Sequence, residues 1–277
     1  MGRLYLGFAL LLTFASGTPA ARAESYAWKS GQPSPTLAAR FAPPSEFIRD
    51  PVLPGSFAAW LRGLPMKPAA EPVRLFNGAI KPRQDVHAAV VDIDVGTRDL
   101  QQCADAIMRL RAEWLFAADR KREIGFNFTS GARVDFERWS TGNRPSADGR
   151  TWSATGKPDG GYASFKRYMT QIFAYAGTAS LEKELTRVKP GSAPEIGDLF
   201  IKGGFPGHAV LVVDKVRNPA SGEVRILLLQ SFMPAQDMHI LRQPTTTTVS
   251  PWYATTSDGS MITPEWTFAA GSLRRWP

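Results

Sequence analysis

"GHAVLVVDKVRNPASGEVRILLLQSF", residues 207–232, is the stretch on which the fold turns. Two apolar runs, one opening at His208 and one ending at Gln230, flank "RNPASGE", whose Asn, Pro, Ser and Gly are turn formers, so the stretch reads as an antiparallel hairpin. On either side, "GDLFIKG" (residues 197–203) and "QDMHILR" (residues 236–242) extend it to four successive strands. Upstream the period is helical. "YASFKRYMTQIFAYAGTASLEKELTRV" (residues 162–188) predicts two helices broken at Gly177.

Another helix is predicted from Thr97 as N-cap, with Asp99 in its first turn and an apolar stripe at Leu100, Cys103, Ile107, Leu110 and Trp114. Cys103 then lies about one turn inside the helix. "EPVRLFNGAI" (residues 71–80) and "DVHAAVVDIDV" (residues 85–95) read as strands, and "SFAAWLRGL" (residues 56–64) as a short helix capped by Ser56 and ended by Pro65. "FNFTSGARVDFERW" (residues 126–139) reads as a short strand followed by a helical turn. Residues 140–161 are almost without apolar side chains apart from Trp152 and predict a long loop, and the aromatic tail after Ser250 is expected to pack over the sheet. Helices first and an antiparallel sheet afterwards make an α+β order.

Residues 1–23 carry Arg3, an apolar run from Leu4 to Ala15 and "ARA" ending at Ala23, the pattern of a secretory signal peptide. An irregular Pro- and Ser-rich arm follows over residues 24–54, and residues 55–277 form a single domain. No later stretch has the ~20 apolar residues that would span a bilayer, so the mature chain is expected outside the cytoplasm, secreted or periplasmic, with no integral membrane segment. Loss of Arg3 and Arg22 with the leader lowers the net charge from +8 to +6, a balance that suits an anionic envelope. The basic residues form no long block, which argues against a nucleic-acid partner.

Chemistry narrows to a few side chains, because the chain has one cysteine and three histidines. A thiol near a helix N-terminus and an imidazole opening a strand are the two parts of a nucleophile–base pair: the helix end favours the thiolate, and a rigid strand holds the base. A third polar group orients the ring in such sites, and Gln230, which ends an apolar run where a structural strand favours another hydrophobe, is placed for this. His87, opening "HAAVVDI", is the other candidate base; the "GD…GH" setting ranks His208 ahead. Each has a structural reading too, Cys103 as a small core residue and His208 as a donor to a nearby carbonyl.

The strings Gly197–Asp198, Gly207–His208 and Gln230, with Cys103 upstream, resemble the papain-like superfamily and, within it, cell-wall amidases and peptidases of the CHAP and NlpC types. That resemblance implies a papain-like fold with a cysteine-bearing helix packed on a C-terminal antiparallel sheet. It also implies hydrolysis of amide bonds in cell-wall or peptide material by a thioacyl route that needs no metal and no cofactor, with Gln101 or Gln102 as oxyanion donor. The setting "LQQCADAI" departs from those families in having no glycine beside the cysteine. Longer strings, "QDVHAAVVDIDVGTRDLQQCADAIMRLRAEWLF", "FNFTSG", "GGFPGHAVLVVD" and "QSFMPAQDMHIL", resemble an exported bacterial family described only as a domain of unknown function.

Other chemistries compete. Asp92, Asp94, Asp105, Glu113 and Asp135 offer carboxylates for a glycan hydrolase, although acids after a strand commonly cap the next helix. Trp139 and Trp152 flank the long loop and could stack on sugar rings, which would make the protein a non-catalytic binder of the envelope or wall. His239 and Asp237 are too few for a zinc site and read as structural polar groups.

Overall fold

The computed structural model describes residue 2 and residues 25–29, 34–244 and 250–277. Apart from Gly2, the expected signal peptide lies outside the described residues.

In chain order the helices are α1 (Leu37–Arg40), α2 (Phe57–Arg62), α3 (Cys103–Ala117), α4 (Phe136–Ser140), α5 (Tyr162–Tyr175) and α6 (Thr178–Glu184). The strands are β1 (His87–Val90), β2 (Gly125–Asn127), β3 (Arg133–Asp135), β4 (Arg144–Pro145), β5 (Trp152–Ser153), β6 (Thr186–Arg187), β7 (Leu199–Lys202), β8 (His208–Arg217), β9 (Val224–Gln230), β10 (His239–Leu241), β11 (Tyr253–Ala254), β12 (Met261–Ile262), β13 (Thr267–Phe268) and β14 (Leu273–Arg275). Eight of them form one antiparallel sheet in the order β1-β10-β9-β8-β7-β14-β6, with β11 beside the first half of β9. The hairpin of β8 and β9 is its centre, with Leu211 opposite Leu229.

Alternation along these strands sorts the side chains onto two faces. Ala209, Leu211, Val213, Leu227 and Leu229 join Ile107, Leu110 and Trp114 of α3 in the larger core, while Val210, Val212, Ile226 and Leu228 meet Tyr253, Met261 and Phe268 of the C-terminal tail in the smaller one. The tail therefore packs over the sheet, opposite α3. A register shift between Val212 and Asp214 accompanies the fully buried Asp214 carboxylate, which takes Arg49 and Arg62 Nε–H groups at 2.7 Å each. These ion pairs tie the N-terminal arm and α2 to the sheet. The arm is more ordered than its composition suggests: it contains α1, its Ile48 pairs with Arg217, and Tyr26 and Trp28 pack on Trp60.

Four local expectations change. The cysteine helix starts at Cys103 rather than just after Thr97, because the Asp99 carboxylate is taken by the Ala235 N–H at 2.7 Å and the Gln102 side-chain amide at 3.0 Å. Asp105 supplies the first-turn carboxylate instead, accepting the Gln102 backbone N–H at 3.1 Å. Residues 71–80 form a turn at Asn77-Gly78, where Gly78 has φ +84°, flanked by isolated bridges rather than a strand. The long loop folds back as the short β4–β5 ladder, and residues 125–135 make a hairpin of β2 and β3. Among the described residues no helix is long and apolar enough to cross a membrane.

Candidate active site

Cys103 is the first residue of α3, so helix geometry leaves its backbone N–H without an intrahelical acceptor and aims the positive end of the helix at its side chain. It is 8% exposed and lines a cavity of about 650 Å³ at the start of β8. Burial first, and then the Asp105 carboxylate, push the thiol up to about 11, against the opposing pull of the Ala104 and Ala209 amides. Burial drives Asp105 itself well above the usual carboxylate range, toward the neutral acid.

His208 reaches the same cavity from the first position of β8. The chain can enter that strand only through a glycine, since a Cβ on Gly207 would lie 2.3 Å from Thr178 Oγ1 and 2.5 Å from the Gly204 carbonyl oxygen. The imidazole is 2% exposed and packed by Phe232, Trp266 and Phe268, with ring centroids 4.8, 5.5 and 5.8 Å away. Burial lowers its pKa to about 4, although its bond to Gln230 favours the charged form. Thiol and imidazole are thus both neutral at rest.

A one-way chain of hydrogen bonds fixes which nitrogen of His208 carries the proton. The Asp237 carbonyl can only accept, so His239 donates to it through Nδ1–H at 2.8 Å, and in the neutral ring Nε2 becomes an acceptor. Burial lowers the His239 pKa to about 3, which keeps that ring neutral. The Gln230 amide nitrogen faces this Nε2 at 3.2 Å and the Glu265 carboxylate at 2.7 Å, two acceptors for its two hydrogens. Gln230 Oε1 is left to accept, at 3.0 Å, from His208 Nε2, which must therefore carry the proton. The lone pair of His208 is then on Nδ1.

Glu265 is held in turn by Lys81 Nζ at 2.7 Å. Lys81 is 5% exposed, and its pKa is lowered by burial and only partly restored by Glu265. Lys81, Glu265 and the bridging role of His239 are the parts of the site that sequence reading missed. The available signal was an acid between apolar and aromatic residues in the tail, "ITPEWTF", in a segment expected to cover the sheet.

The remaining sequence candidates are dispersed. His87 does not line the Cys103 cavity; its Nε2 bonds the Glu71 carbonyl at 3.2 Å and its ring stands 6.0 Å from His239. Gln102 caps α3 and lines the cavity, donating one amide hydrogen to Asp99. Gln101 points elsewhere, its Oε1 taken by Arg109 at 2.6 Å, so of the two glutamines it is Gln102 that lines the Cys103 cavity. Trp139 is 6% exposed, with the Arg144 guanidinium 3.9 Å over its ring, so it cannot stack on a sugar. Trp152 is half-buried against the larger core beneath Arg138. Among the acids, Asp92 pairs with Lys29, Asp94 and Glu113 both grip Arg109, and Asp135 holds Arg133, each turned to a cation rather than to a second carboxylate. Among the described residues no group of three or more His, Cys, Asp or Glu side chains is arranged to hold a metal ion.

The architecture is that of a mixed helix and sheet protein whose large antiparallel sheet carries, at one end of its central hairpin, a cavity bordered by a thiol and an imidazole. The chain belongs to the family described as a domain of unknown function (4846), whose model matches residues 37–275. Neither a comparison with curated proteins nor one with solved structures returns a match.

Proposed function

We propose that this protein is an exported cysteine hydrolase of papain-like type, cleaving amide or related acyl bonds in cell-wall or peptide material. The observation that carries the reading is the hydrogen-bond chain from Asp237 to His208, which leaves an acceptor nitrogen on the ring that shares a cavity with the only cysteine. In this reading the Cys103 sulfur attacks the substrate carbonyl as its proton passes to His208 Nδ1. The Cys103 amide and the second amide hydrogen of Gln102 stabilise the oxyanion. As the carbon–nitrogen or carbon–oxygen bond breaks, the imidazolium returns the proton to the leaving group. Water then attacks the thioester, gives its proton to Nδ1, and the acid leaves as the thiol re-forms. Export rests on the leader-like residues 1–23, and the basic surface suits an anionic envelope.

A neutral starting pair has a distinct pH signature. His208 must be unprotonated to act, so kcat/KM should rise as pH passes about 4 and then stay level, because the thiol keeps its proton until about 11. Hydrolysis of acyl esters or peptide amides measured across that range tests this. An alkaline limb near pH ~8 would instead mark a preformed thiolate–imidazolium pair, and absence of any Cys103-dependent turnover would remove the hydrolase reading.

A further inference from the structure

The chain has 33 Lys and Arg residues, and two other clefts are lined by them, Arg98, Arg109 and Lys166 in one of about 180 Å³ and Arg111 and Arg133 in one of about 370 Å³, while a third of about 380 Å³ is bordered by Glu223. The Cys103 cavity is larger, and among the described residues no lysine or arginine lines it, His208 being its one titratable base. Its walls are chiefly Leu100, Phe173, Phe205, Phe232, Met233 and Trp266. Of the acids at its edge, Asp99 is engaged with the Ala235 backbone amide and Asp105 with that of Gln102 through Oδ2 alone, its Oδ1 being buried without a partner. Phe205 and Met233, 88% and 62% exposed, extend the apolar surface to the rim. A substrate carboxylate or phosphate would be desolvated here with only the end of α3 and a neutral imidazole to receive it and no lysine or arginine, whereas methylene and aromatic groups gain from leaving water.

From this we infer that the site selects an uncharged, apolar acyl group of several carbons, a fatty acyl chain or an aliphatic or aromatic aminoacyl residue, and rejects anionic ones. The inference rests on the cysteine hydrolase reading for its chemistry but not for its binding. The transferred group is the acyl carbon skeleton: its carbonyl carbon bonds Cys103 Sγ, the bond to the leaving nitrogen or oxygen breaks, and water completes the release as the free acid.

The test measures kcat/KM of the protein for p-nitrophenyl esters from acetate to octanoate and for the succinate monoester. In parallel, binding of acetamide to octanamide by the Cys103→Ala variant is followed through tryptophan fluorescence. The expected result is a rise of roughly fourfold per methylene until the cavity is filled, with the anionic ester at least about tenfold poorer than butanoate. The octanoate-to-acetate ratio should fall in the Phe205→Ser/Met233→Ser double variant, whose changes lie at exposed positions and leave the cores intact. Comparing octanoate with N-acetyl-leucyl and N-acetyl-phenylalanyl esters separates a lipid from a peptide source of the same apolar group. Turnover that ignores chain length, or that favours succinate, overturns the inference and leaves the hydrolase standing. Chain-length-dependent amide binding without turnover of any ester sustains the inference and removes the hydrolase.

Discussion

Replacing Cys103 by alanine should lower kcat/KM by about 10⁴-fold or more while the protein stays folded, because the change removes the atom that forms the thioester and leaves only binding and oxyanion contacts. The side chain lines the cavity and alanine removes a single buried atom, so the packing of α3 on the sheet through Ile107, Leu110 and Trp114 stays in place. Circular dichroism and thermal melting of the variant should match the parent closely. Cys103→Ser keeps a hydroxyl at the same place and should be nearly as inactive, since the buried imidazole, with its pKa lowered to about 4, is a weak base for an alcohol. Activity retained in both variants would move the chemistry away from the helix end altogether.

Gln230→Leu should be damaging in two independent measurements. The side chain is fully buried and holds His208, His239 and Glu265 together, so a leucine leaves His208 Nε2–H and His239 Nε2 without their partner. At about 1–3 kcal/mol for each orphaned buried group, unfolding stability in urea should drop by several kcal/mol. The surviving folded protein should also lose about 10²- to 10³-fold in kcat, because the ring no longer has a reason to carry its proton on Nε2. Nitrogen-15 spectra of the side chains report this directly. In the parent protein His208 should appear as the Nε2–H tautomer and His239 as the Nδ1–H tautomer, both neutral down to about pH 5 since burial lowers them to about 4 and about 3. In the variant the His208 signals should move toward a tautomer mixture. An unchanged His208 tautomer with full activity would show that Gln230 is only structural.

The centre of the sheet was legible because β8 and β9 are long, at ten and seven residues, and joined by strong turn residues, "RNPASGE"; Gly177 likewise broke the helical stretch where α5 gives way to α6, whereas the two- and three-residue strands β6, β11 and β14 left no such pattern. The start of α3 was misplaced because Thr97 and Asp99 look like a cap and a first-turn acid, and only a contact across 136 positions, from the Ala235 amide, diverts Asp99. That correction matters chemically, because it moves Cys103 from inside the helix to its first residue. His208 and Gln230 could be nominated from strand position alone. Their anchors could not, since Lys81 and Glu265 meet through a pairing 184 positions apart that leaves no periodic trace. Trp139 misled for the opposite reason: a tryptophan beside a polar loop looks exposed, but α5 covers it and Ser164 takes its indole N–H at 3.2 Å.

The central claim is that Cys103 becomes covalently acylated with His208 as the base. Acid-quenching the protein during turnover of an octanoyl ester, then weighing its peptides by mass spectrometry, addresses this in one step. The expected result is the octanoyl mass on the Cys103 peptide, sensitive to neutral hydroxylamine and formed far more slowly after His208→Ala. A Cys103 peptide that stays unmodified while product accumulates would contradict it.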